Sequence, residues 1–506
     1  MKHIKINFLI LSLTALCFFN CIESQDPDEL LQEIICLDDN IQDPESILIN
    51  NHELAELASE EENDIYYNEI TTKEELDDVR QIHAKKPVTI VVFMAADNDL
   101  HPFAWKNIKQ MEAVGSNENI NIIVQLNTPG YLNVTKRYII KKGKRLLIAA
   151  EGTAPTQKLN SGSPQTLINC VDWAMKHYPA DNLILNFWNH GSGCWDPGTS
   201  KSINTCELFH VNPDTNMLDL DRNIAYIDHI EQLNTSDQKQ RGICFDETYR
   251  SYMSNQDVKY ALNEIHHRIL GGKKIAAVWF DACLMSMIEI ANICKDHADY
   301  LLGSQDVEYA SGSNYQLALS PFNNKVISSR EFACHIVESF DRAYQHITPD
   351  YTQSAIDLSQ MSSLEKNVDL VAEQLLLALK HQANKSVVKV LKECKSRPLC
   401  TCFEEPSFID LRHFYINVQA NLYKIKLLDG YKEIAVKDNL TKLLEQGINL
   451  INIAVIANAT GSHLPKASGL SIYFPERGMF NSYLKCSFAQ SNSWSKMLVQ
   501  YLIQSK

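Results

Sequence analysis

Two short stretches of the sequence contain side chains that could perform nucleophilic chemistry. Residues 187–193 read FWNHGSG and place His190 after an apolar run, and residues 279–285 read WFDACLM and place Cys283 after another. A thiol becomes a strong nucleophile when a nearby base removes its proton, and imidazole suits that role at neutral pH. If the two stretches lie side by side, they supply the nucleophile and the base of a cysteine hydrolase.

The same stretches offer backbone donors for an oxyanion. Gly191 has no side chain to obstruct its N–H, and Cys283 can offer its own N–H as a second donor. Removing such a donor typically costs about 100- to 1000-fold in rate. Each residue alone also has an ordinary interpretation, because a cysteine after a buried strand is usually a small hydrophobe and a histidine before glycine is common in turns.

Short apolar strands that alternate with helical patterns must position these residues. The strands are nearly continuous in apolar residues, as expected when a sheet is covered on both faces. The alternation predicts an α/β sandwich with a largely parallel sheet, in which residues just past neighbouring strands meet at one edge. The predicted strands are residues 88–97, 120–127, 183–190, 274–283 and 299–305, and the predicted helices are 102–114, 163–178 and 255–270.

The chain beyond about residue 330 is mostly helical in pattern. Its clearest helices are predicted at 364–382 and 433–457, and a strand-like segment follows at 469–475. We therefore expect a catalytic domain over residues 87–330 and a mainly helical C-terminal region over residues 331–506 that completes the fold.

The first 86 residues predict export. Residues 1–22 place two lysines before an apolar run of about fourteen residues, which is short for a membrane span and typical of a signal peptide. Two interpretations stay open: a cleaved signal, which predicts a secreted protein, or a lipoprotein signal with a lipid anchor on Cys17 or Cys21. Residues 23–86 are acidic and poor in aromatic residues, so they predict a leader or pro-segment, and a solvated linker stays open as the alternative.

The formal net charge of −15 originates in that leader. Residues 23–80 carry a net charge of −18, whereas residues 81–506 sum to about +1. A nearly neutral body lacks the clustered basic face that nucleic-acid binding requires, so we expect no nucleic-acid partner. The 14 cysteines are widely spaced, and the close pair Cys400 and Cys402 lacks companion zinc ligands.

Longer strings around the two site residues resemble the clostripain family of cysteine peptidases, from about residue 87 to 476. This resemblance implies a caspase-like three-layer α/β sandwich with a His190–Cys283 dyad, and peptide-bond hydrolysis through an acyl-enzyme. It also implies that Gly191 helps to form the oxyanion hole. The strings that carry the resemblance are MAADNDL (94–100), YPADNLILNFWNHGSG (178–193), FDETYRSYMSNQDVKYAL (245–262), WFDACLMSMIEIA (279–291) and SGLSIYFP (468–475).

The resemblance further implies a preference for Arg, and often Lys, before the scissile bond, through acidic residues near the nucleophile. Asp281 matches one acidic position, but Ser311 stands where the family often has the second. Glu308 or Asp306 would have to supply that charge, and solvated loop acids are the alternative interpretation of both. Family members can depend on calcium, and no run of calcium ligands is visible here, so we name no metal ligand and leave calcium open.

Other residues near the motifs have structural interpretations. We expect Trp188 and Trp279 to pack in the core, where an edge of either ring could also line a substrate pocket. We expect Asp97 and Asp99 to cap the helix that follows them, with a catalytic role as the alternative interpretation, and Cys194 to be a spectator rather than a second nucleophile.

We therefore expect an exported cysteine endopeptidase that acts on protein or peptide substrates without a cofactor. A catalytically silent, peptide-binding relative stays open as the alternative, although it would not need both His190 and Cys283. A serine esterase is disfavoured because the chain lacks a Gly-x-Ser-x-Gly elbow at a strand end. The long polar stretch 196–241 is a candidate for self-cleavage, because its basic residues suit a basic-specific enzyme.

Overall fold

The computed structural model describes most of the chain that follows the acidic leader. Residues 1–22, where a signal is predicted, lie wholly outside the described residues. Residues 196–241, where self-cleavage is predicted, lie largely outside them, as does most of the leader. The described ranges are 65–66, 85–148, 155–195, 197–198, 209–211, 218–220, 239–240, 242–479 and 482–506.

Ten of the described strands form one mixed sheet. In spatial order they run β1-β5-β4-β3-β2-β6-β13-β14-β15-β17, and the other strands form two-stranded pairs. In chain order the strands are β1 (Ile65–Tyr66), β2 (Lys86–Ala95), β3 (Ile120–Asn127), β4 (Lys136–Lys141), β5 (Lys144–Leu147), β6 (Ala180–Trp188), β7 (Pro197–Gly198), β8 (Phe209–Val211), β9 (Leu218–Leu220), β10 (Lys239–Gln240), β11 (Gly242–Asp246), β12 (Ser251–Ser254), β13 (Ile275–Asp281), β14 (Ala298–Gly303), β15 (Thr352–Asp357), β16 (Phe408–Asp410), β17 (Val455–Thr460) and β18 (Ser471–Tyr473).

Helices alternate with the central strands and dominate the C-terminal region. One helix of the π type, Ile265–Ile269, directly continues the α-helix Asn255–Glu264. The α-helices are α1 (His101–Val114), α2 (Pro164–His177), α3 (Asn255–Glu264), α4 (Ile288–Cys294), α5 (Tyr315–Leu319), α6 (Ser329–Tyr344), α7 (Met361–His381), α8 (Ser386–Lys395), α9 (Leu411–Asn421), α10 (Gly430–Ala454), α11 (Ser487–Ser491) and α12 (Trp494–Ser505).

The centre of the sheet is the parallel block β3-β2-β6-β13-β14. Every residue of β3 and β13 is buried, as expected of strands covered on both faces. The predicted largely parallel sheet is therefore confirmed, while β4 and β15 run antiparallel to their neighbours on either side of the block. The predicted strands 183–190 and 274–283 each end two residues early, so both candidate catalytic side chains lie in loops.

The C-terminal region contributes two strands to this sheet as well as helices. The predicted helix 433–457 is wrong at its end, because α10 stops at Ala454 and Val455–Thr460 forms the strand β17. β-Branched Val455 pairs with Ile356 of β15, a neighbour that favours the extended state. A single hydrophobic core extends from Val88 to Leu502, so both regions pack around one interior.

Among the described residues, no helix combines the length and the apolar character needed to cross a bilayer.

Candidate active site

The two sequence-predicted site residues follow neighbouring parallel strands. In the β6–β13 pair, Trp188 is aligned with Asp281, and the backbone N–H of Asn189 donates to the Asp281 carbonyl at 3.4 Å. His190 and Cys283 each lie two residues beyond that aligned pair. The sheet register therefore brings both loops to the same edge, as the strand pattern predicted.

Gly191 and Cys283 lie in backbone contact. A Cβ atom added to Gly191 would lie 2.5 Å from the carbonyl oxygen of Cys283 and 3.1 Å from Cβ of Ala282. Real Cβ atoms do not approach backbone so closely, so only glycine permits this contact without displacing one of the loops. The structure thus brings the loop that contains His190 and Gly191 into contact with the loop that contains Cys283.

The imidazole of His190 is buried and held by a carboxylate. Its Nε2 lies 2.7 Å from Oδ1 of Asp99, in the loop after β2. The prediction that Asp97 and Asp99 cap the next helix is wrong: the N-cap of α1 is Leu100, and no side chain bonds there. The capping role is absent because Asp99 turns to His190, whereas Asp97 forms an ion pair with Lys158 at 2.8 Å.

Asn189 fixes the backbone that precedes His190. Its Oδ1 accepts a hydrogen bond from the Phe245 N–H at 2.9 Å, and its Nδ2 donates to the carbonyl oxygens of Ala95 and Phe245. Three elements, the ends of β2 and β6 and the strand β11, are therefore joined through one amide. Sequence analysis did not select Asn189, although its position between a strand end and a candidate base was a usable signal.

Asp246 is the last residue of β11, and its carboxylate joins the segment before α2 to the turn after β11. Asp246 is buried and accepts hydrogen bonds from the N–H groups of Ser161 and Tyr249, at 2.8 and 2.9 Å. Burial raises the pKa of Asp246 to about 6, and the neighbouring Asp97 carboxylate adds to that rise. The hydrogen bonds from Ser161 and Tyr249 oppose this rise in pKa.

Cys283 is buried at the start of a strained turn. Its Sγ accepts a hydrogen bond from the Glu308 N–H at 3.2 Å, and the next residue, Leu284, has a φ of 64°. A left-handed conformation at a non-glycine residue is costly and recurs at functional sites. Burial raises the pKa of the Cys283 thiol above its ordinary value, and the nearby Glu308 carboxylate raises it further.

Residues near the C-terminus brace the loop that carries Cys283. The Ser286 hydroxyl donates to the Gly469 carbonyl at 2.7 Å, and the Ser471 N–H donates to the Ser286 carbonyl at 3.0 Å. Met287 also forms a parallel bridge with Ser471. The string SGLSIYFP therefore supports the loop without adding a side chain to the candidate site.

Two carboxylates lie beside the thiol in one small cavity. Asp281 accepts hydrogen bonds from the Ser313 hydroxyl and N–H, both at 2.9 Å, and from the Tyr315 hydroxyl at 2.8 Å. Burial raises the pKa of Asp281 to about 6. Glu308 is only 4% exposed, and among the described residues neither of its carboxylate oxygens has a hydrogen-bond partner. Asp281, Cys283 and Glu308 all line the cavity, together with Trp188.

The other predicted substrate residues lie outside this cavity. The Ser311 hydroxyl is 3.4 Å from the Tyr344 hydroxyl and faces a separate cavity that Lys106 also lines. Asp306 uses Oδ1 to accept the N–H groups of Val307 and Glu404, at 2.9 and 2.8 Å. Of the two acids suggested as replacements for the missing one, Glu308 lines the cavity beside the thiol and Asp306 does not.

The remaining predicted residues lie in the surrounding core. Trp188 lines the cavity and donates from Nε1 to Asn107 at 2.8 Å. Trp279 is fully buried, with its ring centroid 5.1 Å from that of Tyr315. Cys194 is buried.

Comparison with known proteins assigns the chain to a family. The model of the clostripain family matches residues 92–211 and 221–499, which is most of the chain. The chain belongs to the clostripain family. Clostripain from Hathewaya histolytica is 23% identical over 382 residues, which cover 65% of this chain and 64% of that relative. The chain therefore matches less than two thirds of the length of this curated relative of the clostripain family.

Solved structures share the fold of this clostripain-family chain. A secreted C11 cysteine protease from Bacteroides thetaiotaomicron superposes with a TM-score of 0.54 at 15% identity, covering 82% of this chain and 100% of that one. The structure of a secreted C11 cysteine protease from the same organism in complex with an irreversible peptide inhibitor gives a TM-score of 0.50 at 17% identity, and the match covers 82% of this chain and 99% of that one. An inactive zymogen C11 protease from Parabacteroides distasonis gives 0.50 at 19% identity, with the same coverages. The predicted caspase-like α/β fold is confirmed.

Proposed function

We propose that this protein is a cysteine endopeptidase in which Cys283 is the nucleophile and His190 is the general base. The observation that carries the proposal is the backbone contact between Gly191 and Cys283, whose loops follow neighbouring parallel strands. His190 precedes Gly191 in its loop, and Asp99 from the loop after β2 holds its imidazole. Membership of the clostripain family supports the reaction class.

The first half of the proposed reaction forms an acyl-enzyme. His190 removes the proton from the Cys283 thiol, and the thiolate forms a C–S bond to the carbonyl carbon of the peptide. Because burial raises the pKa of this thiol, the base is needed for attack near neutral pH. The tetrahedral intermediate then collapses, the C–N bond breaks, and His190 gives its proton to the departing amine.

The second half releases the acyl group. His190 takes a proton from water, whose oxygen attacks the thioester carbon, and the C–S bond breaks as the carboxylic acid leaves and the thiol recovers its proton. Gly191 and Cys283 are proposed to offer backbone N–H groups to the oxyanion in both halves. These steps use side chains and backbone groups alone, and activity in the presence of a calcium chelator tests the calcium dependence left open by the sequence.

We propose a basic residue before the scissile bond, with Asp281 and Glu308 as its carboxylate partners. Glu308 is buried in the cavity beside Cys283 and has no partner for its carboxylate oxygens among the described residues. A buried carboxylate without a partner is costly when charged, so burial and the Asp281 charge raise its pKa well above the ordinary value. A guanidinium or ammonium group in the cavity supplies the missing partner and restores the ionised form.

Substrate binding must also open the site. His190 is 0% exposed and Cys283 is 1% exposed, so neither reacting group can meet a peptide in this conformation. We propose that residues which cover the thiol, including the Glu308 loop, move when a peptide binds. Cleavage within 196–241 by the enzyme itself stays a proposal, and its test is whether the wild type is processed during purification while Cys283→Ala is not.

We also propose that the protein is exported, because residues 1–22 have the pattern of a signal peptide and a related C11 protease of the same fold is described as secreted. A cleaved signal gives a secreted enzyme, whereas acylation of Cys17 or Cys21 gives a tethered one. Mass spectrometry of the N-terminus of the native mature protein separates the two.

Cleavage of a mixed peptide library by the mature protein tests the activity. Cys283→Ala and His190→Ala should abolish cleavage, whereas Cys194→Ala, which removes another buried thiol from the same region, should retain it. Iodoacetamide should inactivate the wild type with one labelled residue, Cys283. Cleavage by Cys283→Ala at the wild-type rate contradicts the mechanism, and peptide binding without any cleavage by the wild type favours the peptide-binding alternative.

A further inference from the structure

Three histidines form a cluster at the edge of the sheet opposite the candidate active site. One ligand nitrogen from each of His266, His267 and His297 can be chosen so that all three lie within 4.8 Å of one another. His266 and His297 are buried, and His267 is exposed to solvent. The sequence analysis placed His266 and His267 in an ordinary helix and missed the cluster, because His297 comes from a different loop.

The backbone brings consecutive histidines together through a local irregularity. After Glu264 the α-helix widens into the π-helix Ile265–Ile269, a form that is rare and frequently found at functional sites. Within it the rings of His266 and His267 stack with centroids 4.2 Å apart. His297 approaches from the segment just before β14, with its ring centroid 5.6 Å from that of His266.

One hydrogen bond prepares His266 as a ligand. Its Nε2 lies 2.9 Å from the carbonyl oxygen of Gly272, which can only accept, so Nε2 carries the proton. The neutral ring then has its lone pair on Nδ1, which points at His297. Ligating histidines in proteins almost always donate their other N–H to a carbonyl, carboxylate or water in this way.

The distance between the two buried rings suits a shared metal ion. Nδ1 of His266 and Nδ1 of His297 are 3.4 Å apart, at the outer limit of the hydrogen bond that the two rings form with no ion bound. Two nitrogens bound to one tetrahedral zinc at about 2.0–2.1 Å are separated by about 3.3–3.4 Å.

We propose that His266, His267 and His297 bind one divalent transition-metal ion of the class that prefers imidazole, such as Zn²⁺. Two ligands are buried and preset, and the exposed His267 closes on the ion from the solvent side. Three protein nitrogens leave a fourth tetrahedral position for water.

The position of this site indicates a structural role. The N–H of Ile275, the first residue of β13, donates to the His297 carbonyl at 2.9 Å, so the cluster lies at the beginning of β13. Cys283 follows the far end of the same strand, about 20 Å away at the usual rise per residue. A bound ion would tie the π-helix to the segment that enters β14, without touching the candidate dyad.

Metal titration of the mature protein in a Cys283→Ala background tests the proposal. This background removes the candidate nucleophile, whose thiolate could bind the same ions, and the protein must carry no histidine tag. Co²⁺ absorption reports imidazole ligation, and competition with a chelating dye gives the Zn²⁺ affinity. The parent should bind about one ion per chain with a tetrahedral Co²⁺ spectrum.

The exposed ligand allows a variant that preserves the fold. Loss of an outer-shell partner of a ligand typically lowers metal affinity by about 10- to 100-fold. His267→Ala removes a ligand itself, so it should weaken Zn²⁺ binding at least about tenfold. His463→Ala, which removes an exposed histidine elsewhere, should leave affinity unchanged. Zn²⁺ should also raise the thermal unfolding midpoint of the parent and of His463→Ala more than that of His267→Ala.

Two outcomes overturn the assignment. One is the absence of stoichiometric Zn²⁺ or Co²⁺ binding by the parent when metal is in excess. The other is that His267→Ala binds the ion with the same affinity as the parent. If a Cys400→Ser, Cys402→Ser variant then loses the ion, the ion binds at that cysteine pair instead.

Discussion

Oδ1 of Asp99 and Nε2 of His190 are 2.7 Å apart, although 91 residues separate them along the chain. The carboxylate follows β2 and the imidazole follows β6, and these two strands are parallel neighbours. The pair thus adds a third group to the predicted dyad. In proteases of other folds, a carboxylate in this relationship fixes the tautomer and orientation of the histidine.

Asp99→Asn should lower kcat while changing KM little, because the amide retains the volume but not the charge that stabilises the protonated imidazole. We expect a loss of at least about tenfold, and the corresponding change in a serine protease costs about 10⁴-fold. Steady-state kinetics on one peptide substrate provide the measurement. Asp350→Asn is a matched control, because Asp350 makes a similar contact with exposed His463 at 3.0 Å. Wild-type kcat in Asp99→Asn would show that the contact only supports the fold.

Gly191→Ala should reduce kcat/KM by about 100-fold or more, the usual cost of losing an oxyanion donor. The added methyl group would lie 2.5 Å from the Cys283 carbonyl and push the two loops apart. Gly430→Ala is the control, because a Cβ there meets no atom within 4 Å. Equal kcat/KM values for the two variants would rule out a close-packed oxyanion site at Gly191.

Glu308→Gln should lower kcat/KM for substrates with Arg before the scissile bond and spare substrates with a neutral residue there. Removing one partner of a buried charge pair costs about 2–5 kcal/mol, which corresponds to at least about 30-fold. The neutral substrate serves as the control for folding and for the dyad. If both substrates lose activity equally, Glu308 supports the loop and does not select the substrate.

The preference for a basic residue should increase with pH. Burial raises the pKa of Asp281 to about 6, so this carboxylate gains its charge as the pH rises through about 6. The ratio of kcat/KM for an Arg substrate to that for a neutral one should therefore rise between about pH 5 and about pH 7. Taking the ratio cancels pH effects that the two substrates share. A ratio that does not vary with pH would argue against a carboxylate partner for the substrate.

Glu289→Gln should stabilise the protein at alkaline pH and have little effect near pH 4. Glu289 is fully buried, and burial raises its pKa to about 7 from an ordinary value of 4.5. The folded state therefore holds the proton more tightly, and stability is lost as the pH rises from the unfolded pKa through the folded one. The difference amounts to about 3 kcal/mol at most. Urea unfolding at several pH values measures it, and a constant difference between variant and wild type would contradict the assignment.

The central strands could be predicted from the sequence because nearly continuous apolar runs such as Ile275–Asp281 are typical of strands in a sheet that is covered on both faces. The strands β15 and β17, at one edge of the sheet, could not be predicted in this way. Thr352–Asp357 and Val455–Thr460 are short and partly polar, so their extended state depends on pairing with each other rather than on local pattern.

The candidate site divides in the same way. His190 and Cys283 could be selected because each follows a recognisable strand, and Gly191 because of its neighbours. The Asp99–His190 contact and the burial of Glu308 depend on how distant loops pack, and the cluster at His297 depends on a π-helix, so residue type and spacing could not predict them.

The dependence of the loop after Cys283 on Gly469 and Ser471 has a consequence for truncated forms of the protein. The hydrogen bonds of Ser286 with these two residues require both segments in one molecule. A fragment that ends before residue 469 still contains His190 and Cys283 but lacks the bonds that hold this loop. We therefore expect removal of the C-terminal segment to abolish the proposed peptide hydrolysis even though both candidate catalytic residues are retained.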